Sequence, residues 1–255
     1  MRRLVLFVFA LALIGCASVI DPSKDWTAER YYQEGKDQLE GANYQEAIKI
    51  FEQLLGRYPY GRYAEQAQLE IAYANYKYDE PALALAACDR FIRQYPTHPN
   101  VDYAYYLKGI VGFHGQRGFM NWIFGVDDDF HDRDAKGTRE SYDSFKELVQ
   151  RFPDSRYAAD ARAHMTFLFV VQARYEISVA EFYYDQGSYV AAVNRAKYAL
   201  ENFPRTPSTE DALGIQAKAY QKMGMKKLSD DTQRILARNF PKSHYLEELK
   251  AANGG

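Results

Sequence analysis

Cysteine is nearly absent from this chain: there are 2 in 255 residues, Cys16 and Cys88. Two thiols far apart exclude a disulfide framework and the paired-cysteine spacing of a structural zinc site. Neither charge dominates, with 32 basic against 34 acidic residues and a formal net charge of −2, so the electrostatic footprint of a nucleic-acid binder is missing. After Ile14 there is no long apolar run, which excludes a later membrane-spanning helix. Histidine is sparse, at 5 scattered positions, and Walker, H-E-x-x-H and G-x-S-x-G patterns are lacking. The acidic run Asp127–Asp134 fits a calcium loop badly. With Asp132 as its first position, Lys136 falls where an oxygen ligand belongs and Asp143 where a bidentate Glu is normal. With no nucleophile–base pair and no ligand set, the chain reads as a non-enzyme without catalytic residues, metal or cofactor.

The amino-terminal residues form a leader. Arg2 and Arg3 precede an eleven-residue apolar stretch, Leu4 to Ile14, the length of a signal-peptide core and too short to span a bilayer. Leu13-Ile14-Gly15-Cys16 resembles the lipobox of bacterial lipoproteins. That resemblance implies cleavage before Cys16, diacylglycerol on its thiol and an N-acyl chain on its new amino group. Two or more acyl chains hold a protein stably on a membrane. Ala17, rather than Asp, follows the cysteine and implies sorting to the outer membrane. Cys88 is then left without a partner and is expected in the core.

The remaining chain repeats. An aromatic-Pro pair recurs at Pro59, Pro96, Pro153, Pro204 and Pro241, spaced by 37, 57, 51 and 37 residues. The two long spacings read as a 37-residue unit with 20 and 14 residues inserted. Twelve positions before each proline stands a small residue: Ala47, Ala84, Ser141, Ala192 and Ser229. Twenty-four before stand Gly35, Ala72, Ala180 and Ala217, with Gly109 filling the third place once the insertion is allowed for. Two helices cross closely only where a side chain is small, and proline ends a helix because it lacks the N–H. Small, small and Pro at steps of twelve is the tetratricopeptide (TPR) pattern. The expected fold is all-α: a TPR-type helical solenoid of five helix-turn-helix repeats over residues 28–243. Residues 1–15 are the leader, 16–27 an anchored linker, 28–137 and 138–243 two halves, and 244–255 a capping helix and tail.

TPR units bind through positions 2, 5, 9 and 12 of each first helix. Counting the small residue as position 8 gives Tyr32, Lys36 and Leu39 in the first unit and Gln66, Leu69, Tyr73 and Tyr76 in the second. The third gives Tyr103, Tyr106, Ile110 and Phe113. This aromatic set suits an extended peptide, since tyrosine combines a large face with a hydroxyl at low entropic cost. Each of the 22 tyrosines could equally pack helix on helix. Unit five is polar by comparison, with Asp211, Gly214, Lys218 and Gln221, which suggests a different partner for the second half. Only Lys36 could join a clamp for a terminal carboxylate.

Several blocks together are similar to one family. They are R-Y-P-Y-G-R-Y (57–63), A-Y-A-N-Y-K (72–77), Y-P-T-H-P-N-V-D-Y (95–103), F-G-V-D (124–127) with D-R-D (132–134), Y-E-I-S-V-A-E-F-Y-Y (175–184) and A-V-N-R (192–195). With the lipobox they resemble BamD (ComL), the lipoprotein family of the outer-membrane β-barrel assembly machine. The resemblance implies a scaffold at the periplasmic face of the outer membrane, whose amino-terminal repeats receive the carboxy-terminal signal of unfolded barrel proteins. Tyr58 and Gly61 would join Tyr73 and Tyr76 in that pocket. The carboxy-terminal repeats would dock the POTRA domain of BamA, with Arg195 facing a POTRA acid, and companion lipoproteins would bind alongside. Where the family often continues G-P-Y, this chain has Gly61-Arg62-Tyr63. A TPR adaptor for cell-wall or division machinery would share the anchor and fold, and is the alternative.

Overall fold

The computed structural model describes residues 25–114 and 135–253. The leader, Cys16, most of the linker, the 115–134 insertion and the last two glycines therefore lie outside the described residues. Every regular element among those described is an α-helix. In chain order these are α1 (Ala28–Glu40), α2 (Tyr44–Arg57), α3 (Arg62–Lys77), α4 (Pro81–Gln94), α5 (Val101–His114), α6 (Ala135–Arg151), α7 (Ala158–Asp185), α8 (Tyr189–Asn202), α9 (Ser208–Lys222), α10 (Lys226–Asn239) and α11 (His244–Asn253).

The prolines time the helices. Each second helix (α2, α4, α6, α8, α10) stops two residues before its proline. The aromatic residue between them donates its N–H to a carbonyl four residues back: Tyr58 to Leu54, Tyr95 to Phe91, Phe152 to Leu148, Phe203 to Ala199 and Phe240 to Leu236. Proline pushes the residue before it out of the helical region. Accordingly Tyr58, Tyr95, Phe203 and Phe240 share φ between −126° and −134°. The residues whose carbonyls accept, Leu54, Phe91, Leu148, Ala199 and Leu236, are all buried. The turn from first to second helix repeats as well, with left-handed φ of 58° at Ala42, 64° at Asp79, and 72° at Gly187 and Gly224.

The inserted segments leave this timing intact. The 14 extra residues of the fourth unit lengthen its first helix, α7, to 28 residues. Fourteen residues are close to four turns, so the helix keeps its face. The 20 extra residues of the third unit separate α5 from α6 and fall within 115–134. The capping helix expected after Ser243 is α11.

The described residues fall into two compact units, one ending at Tyr78 and one beginning at Asp79. In the first, α1, α2 and α3 enclose Tyr31, Ala47, Ile50, Phe51, Leu54, Ala64 and Ala67. In the second, one core joins Ile177 and Ala180 of α7 to Ala192, Ala196 and Ala199 of α8. Another joins Leu213 and Ala217 of α9 to Leu236, Tyr245 and Leu249. Cys88 is fully buried, and burial pushes its thiol up to about 12. It is a packing residue with no thiolate at neutral pH.

Close crossings are made at the small residues. A Cβ on Gly35 would lie 2.5 Å from the Phe51 ring, and one on Gly109 would lie 2.6 Å from Phe145. Ser141 donates its hydroxyl to the Gly109 carbonyl at 2.7 Å, and Ser229 does the same to Ala217 at 3.0 Å. Both serines are the second small residue of their unit, and the carbonyl belongs to the first. Gly35→Ala is therefore expected to lower stability by about 1–2 kcal/mol, because overpacking against a fully buried ring outweighs alanine's helix propensity. Gly56→Ala, with nothing within 4 Å of the new methyl, should instead raise stability by up to about 1 kcal/mol. Urea titration checks both signs.

Candidate peptide-binding surface

In the first unit Tyr32 and Lys36 converge on one carboxylate. The Tyr32 hydroxyl donates to Glu70 Oε1 at 3.1 Å and Lys36 Nζ donates to the same oxygen at 3.0 Å. Burial first, and the Glu70 charge next, hold the Tyr32 hydroxyl above the usual phenol range, so it stays a neutral donor. Lys36 is thus engaged within the chain. Tyr32 also packs against Tyr63, with ring centroids 5.5 Å apart, and against Phe51 at 5.9 Å. Tyr73 and Tyr76 lie farther along α3, 6.4 Å apart and each partly exposed.

Tyr58 packs on the same core but meets other partners. Its hydroxyl donates to the Trp26 carbonyl at 2.9 Å and its ring meets Tyr31 at 6.5 Å, so it ties the entering chain to the end of α2. Gly61 caps α3 with φ of 97°, a conformation that favours glycine. The equivalent residues after the other prolines are His98, Ser155, Thr206 and Ser243. Leu39 and Leu69, counted among groove positions by spacing, are 7 % exposed and belong to the core. Gly214 is covered as well, since the Tyr245 ring lies over it.

In the second compact unit Tyr103 and Tyr106 of the third repeat flank Tyr157, the former at 5.5 Å and the latter stacked at 4.7 Å with planes 19° apart. The Tyr106 hydroxyl donates to Asp160 Oδ2 at 2.7 Å. Phe113 continues the row, 4.6 Å from the His164 ring.

Tyr63 and Tyr157 were not among the residues singled out by spacing, yet the signal was present. Each is the fourth residue after its proline and each follows an arginine, Arg62-Tyr63 and Arg156-Tyr157. The guanidinium lies over its neighbour's ring at 4.6 Å and 4.7 Å respectively and donates to that hydroxyl. Tyr245 is the fourth residue after Pro241 and occupies the matching place in the last turn. A tyrosine there leans back on position 5 of the preceding first helix: Tyr32, Tyr106 or Gly214. The result is an aromatic platform in each unit, edged by an acid and a cation.

The polar surface of α7, α9 and α11 differs in kind. Lys218 bonds Glu248 at 2.6 Å and sits 5.2 Å from the Tyr184 ring centroid, while Tyr245 donates to Asp211 at 3.3 Å. Burial raises the Asp211 carboxyl above its ordinary value, partly offset by that hydrogen bond. Arg195 lies on α8 and bonds Glu176 of α7 at 3.2 Å. Glu176 is buried, whereas the Arg195 side chain is 45 % exposed. Among the described residues no group of His, Cys, Asp and Glu could hold a metal ion, and no helix is long and apolar enough to cross a membrane.

Residues 24–236 match the family model YfiO, described as outer membrane lipoprotein. The chain belongs to this family. Curated relatives carry the name outer membrane protein assembly factor BamD. That of Neisseria meningitidis serogroup A is 45 % identical over 253 residues, covering 96 % of this chain and 94 % of its own. That of Vibrio cholerae is 36 % identical over 233 residues (91 % and 96 %), and that of Xylella fastidiosa Temecula1 is 35 % identical over 248 (96 % and 84 %). The expected family and fold are thus both found, and the family's association with the outer membrane applies to this chain. Its relatives are assembly factors, and the chain is a non-enzymatic member of their family.

The Arg195–Glu176 pair generates a test within this surface. Arg195→Glu should set two carboxylates against each other and lower stability by about 1–2 kcal/mol, toward the low end because water screens the half-exposed arginine. Adding Glu176→Gln should recover most of that loss. Urea midpoints of the two variants check it, and an unchanged midpoint for Arg195→Glu contradicts the pair.

Proposed function

We propose that the chain is a lipid-anchored scaffold at the periplasmic face of the outer membrane, acting within the β-barrel assembly complex. Its first three repeats receive the aromatic carboxy-terminal signal of unfolded barrel proteins, and its last repeats dock the POTRA region of BamA. The observation that carries this reading is the pair of aromatic platforms on the first helices, Tyr32 with Tyr63 and Tyr103 with Tyr106 and Tyr157. The near-full-length relatedness to assembly factors supplies the setting.

Physically, an unfolded barrel strand alternates apolar and polar side chains. Ring faces held by neighbouring rings offer such a strand fixed apolar contact, and the acids Glu70 and Asp160 keep the tyrosine hydroxyls from rotating freely. A terminal-carboxylate clamp through Lys36 is not available, because Glu70 holds that side chain. For docking, Arg195 offers the guanidinium donors that Glu176 leaves over. In this role Tyr58 and Gly61 are supports: they set the direction in which α3 enters the platform. Cys16 would contribute only position, through its diacylglycerol and N-acyl chain.

Affinity purification of the lipidated protein from detergent-solubilised membranes is expected to recover a BamA-type barrel at near-stoichiometric yield, together with smaller lipoproteins. Recovery of cell-wall synthesis enzymes instead, with no barrel protein, would overturn the proposal in favour of the adaptor reading.

A further inference from the structure

The first unit presents two cations beside its aromatic platform, and they are in different states. Lys36 shares Glu70 with Tyr32 at 3.0 Å and is only 34 % exposed. Arg62 is exposed, and no carboxylate among the described residues pairs with it within ion-pair distance. It contacts its own neighbour, donating one N–H to the Tyr63 hydroxyl at 2.7 Å and placing Cζ 4.6 Å from the Tyr63 ring centroid. A guanidinium carries five N–H donors in a fixed fork, so most of them remain directed outward. The Tyr63 ring beneath it is in turn packed on Tyr32. A cation is thus held at the edge of an aromatic floor.

The matching arginine in the second unit differs in its electrostatic surroundings. Arg156 lies over Tyr157 and is held first by the Tyr157 hydroxyl, with the Asp102 carboxylate a lesser nearby charge that also accepts a hydrogen bond from Ser155 at 2.6 Å. The residue standing in the place of Asp102 in the first repeat is Ala28, so Arg62 has no such acid. Charge separates the two platforms: Asp102 stands near the cation of one, and alanine takes that place in the other.

We infer that Arg62 reads the free terminal carboxylate of a bound peptide whose last residue is aromatic. Its guanidinium takes the two carboxylate oxygens in parallel hydrogen bonds while the terminal ring rests on Tyr63 and Tyr32. The inference rests on the peptide-binding reading above and names the group that sets its specificity. Arg62 stands where the family pattern often has proline.

Fluorescence anisotropy on the full-length lipidated protein in detergent tests it. The probe is a fluorescein-labelled ten-residue peptide of alternating apolar and polar residues ending in phenylalanine, made as the free acid and as the amide. Wild type should bind the acid about tenfold more tightly than the amide. Arg62→Gln should remove that ratio by weakening the acid alone, Arg62→Lys should retain part of it, and Arg156→Gln should leave it unchanged. Equal binding of acid and amide by wild type, or a ratio that survives Arg62→Gln, overturns the role of Arg62 and leaves the peptide-binding reading standing. Binding of neither peptide overturns both.

Discussion

A proline cannot donate to a helix, and the residue before it cannot stay helical; five such pairs hold every repeat of this chain to one timetable. Each second helix ends two residues before its proline, and the same aromatic N–H closes it on a buried position one turn back. Because the stop is set locally, inserted residues can enter a repeat without spreading error to the next. The fourteen in α7 do so as nearly whole turns, and the next proline falls where the 37-residue unit requires. Everything carried on the first helices depends on that regularity, since a one-residue slip would turn a position-5 tyrosine away by about 100°.

Within that timetable the size of a side chain at one place dictates the size at another. Where the first small residue is glycine, in the first and third repeats, the residue eight before the proline is phenylalanine, Phe51 or Phe145. Where it is alanine, the same place holds Cys88, Ala196 or Gln233. A full ring is admitted on the second helix only where the first helix has no Cβ, as close packing requires. It also accounts for Cys88, a residue whose burial in the core could be anticipated from its lack of a partner but whose place could not.

Much of this was legible in the residues alone. The repeat length, the helix-pair fold, the capping helix α11 and the two points of insertion follow from prolines and small residues, because those residues act through local backbone geometry. The surface was legible only in part. Spacing put Leu39, Leu69 and Gly214 on the groove, but what lies above a position is decided by a neighbouring element, and Tyr245 shows how one ring can close it. Ion pairs such as Lys36–Glu70 and Arg195–Glu176 join residues 34 and 19 positions apart through long flexible side chains, and no periodicity announces them. Tyr58, grouped with the pocket by resemblance, instead fastens Trp26.

The central claim is that the partly exposed rings of the first helices are a receiving surface and not only helix packing. Site-specific photo-crosslinking in cells, with p-benzoylphenylalanine at Tyr73 and Tyr106 and a control at the outward Ile235, addresses it most directly. The account predicts adducts to newly exported outer-membrane barrel proteins from positions 73 and 106 and none of these from 235. Equal adducts from all three positions, or adducts from 73 and 106 only within the chain itself, would contradict it.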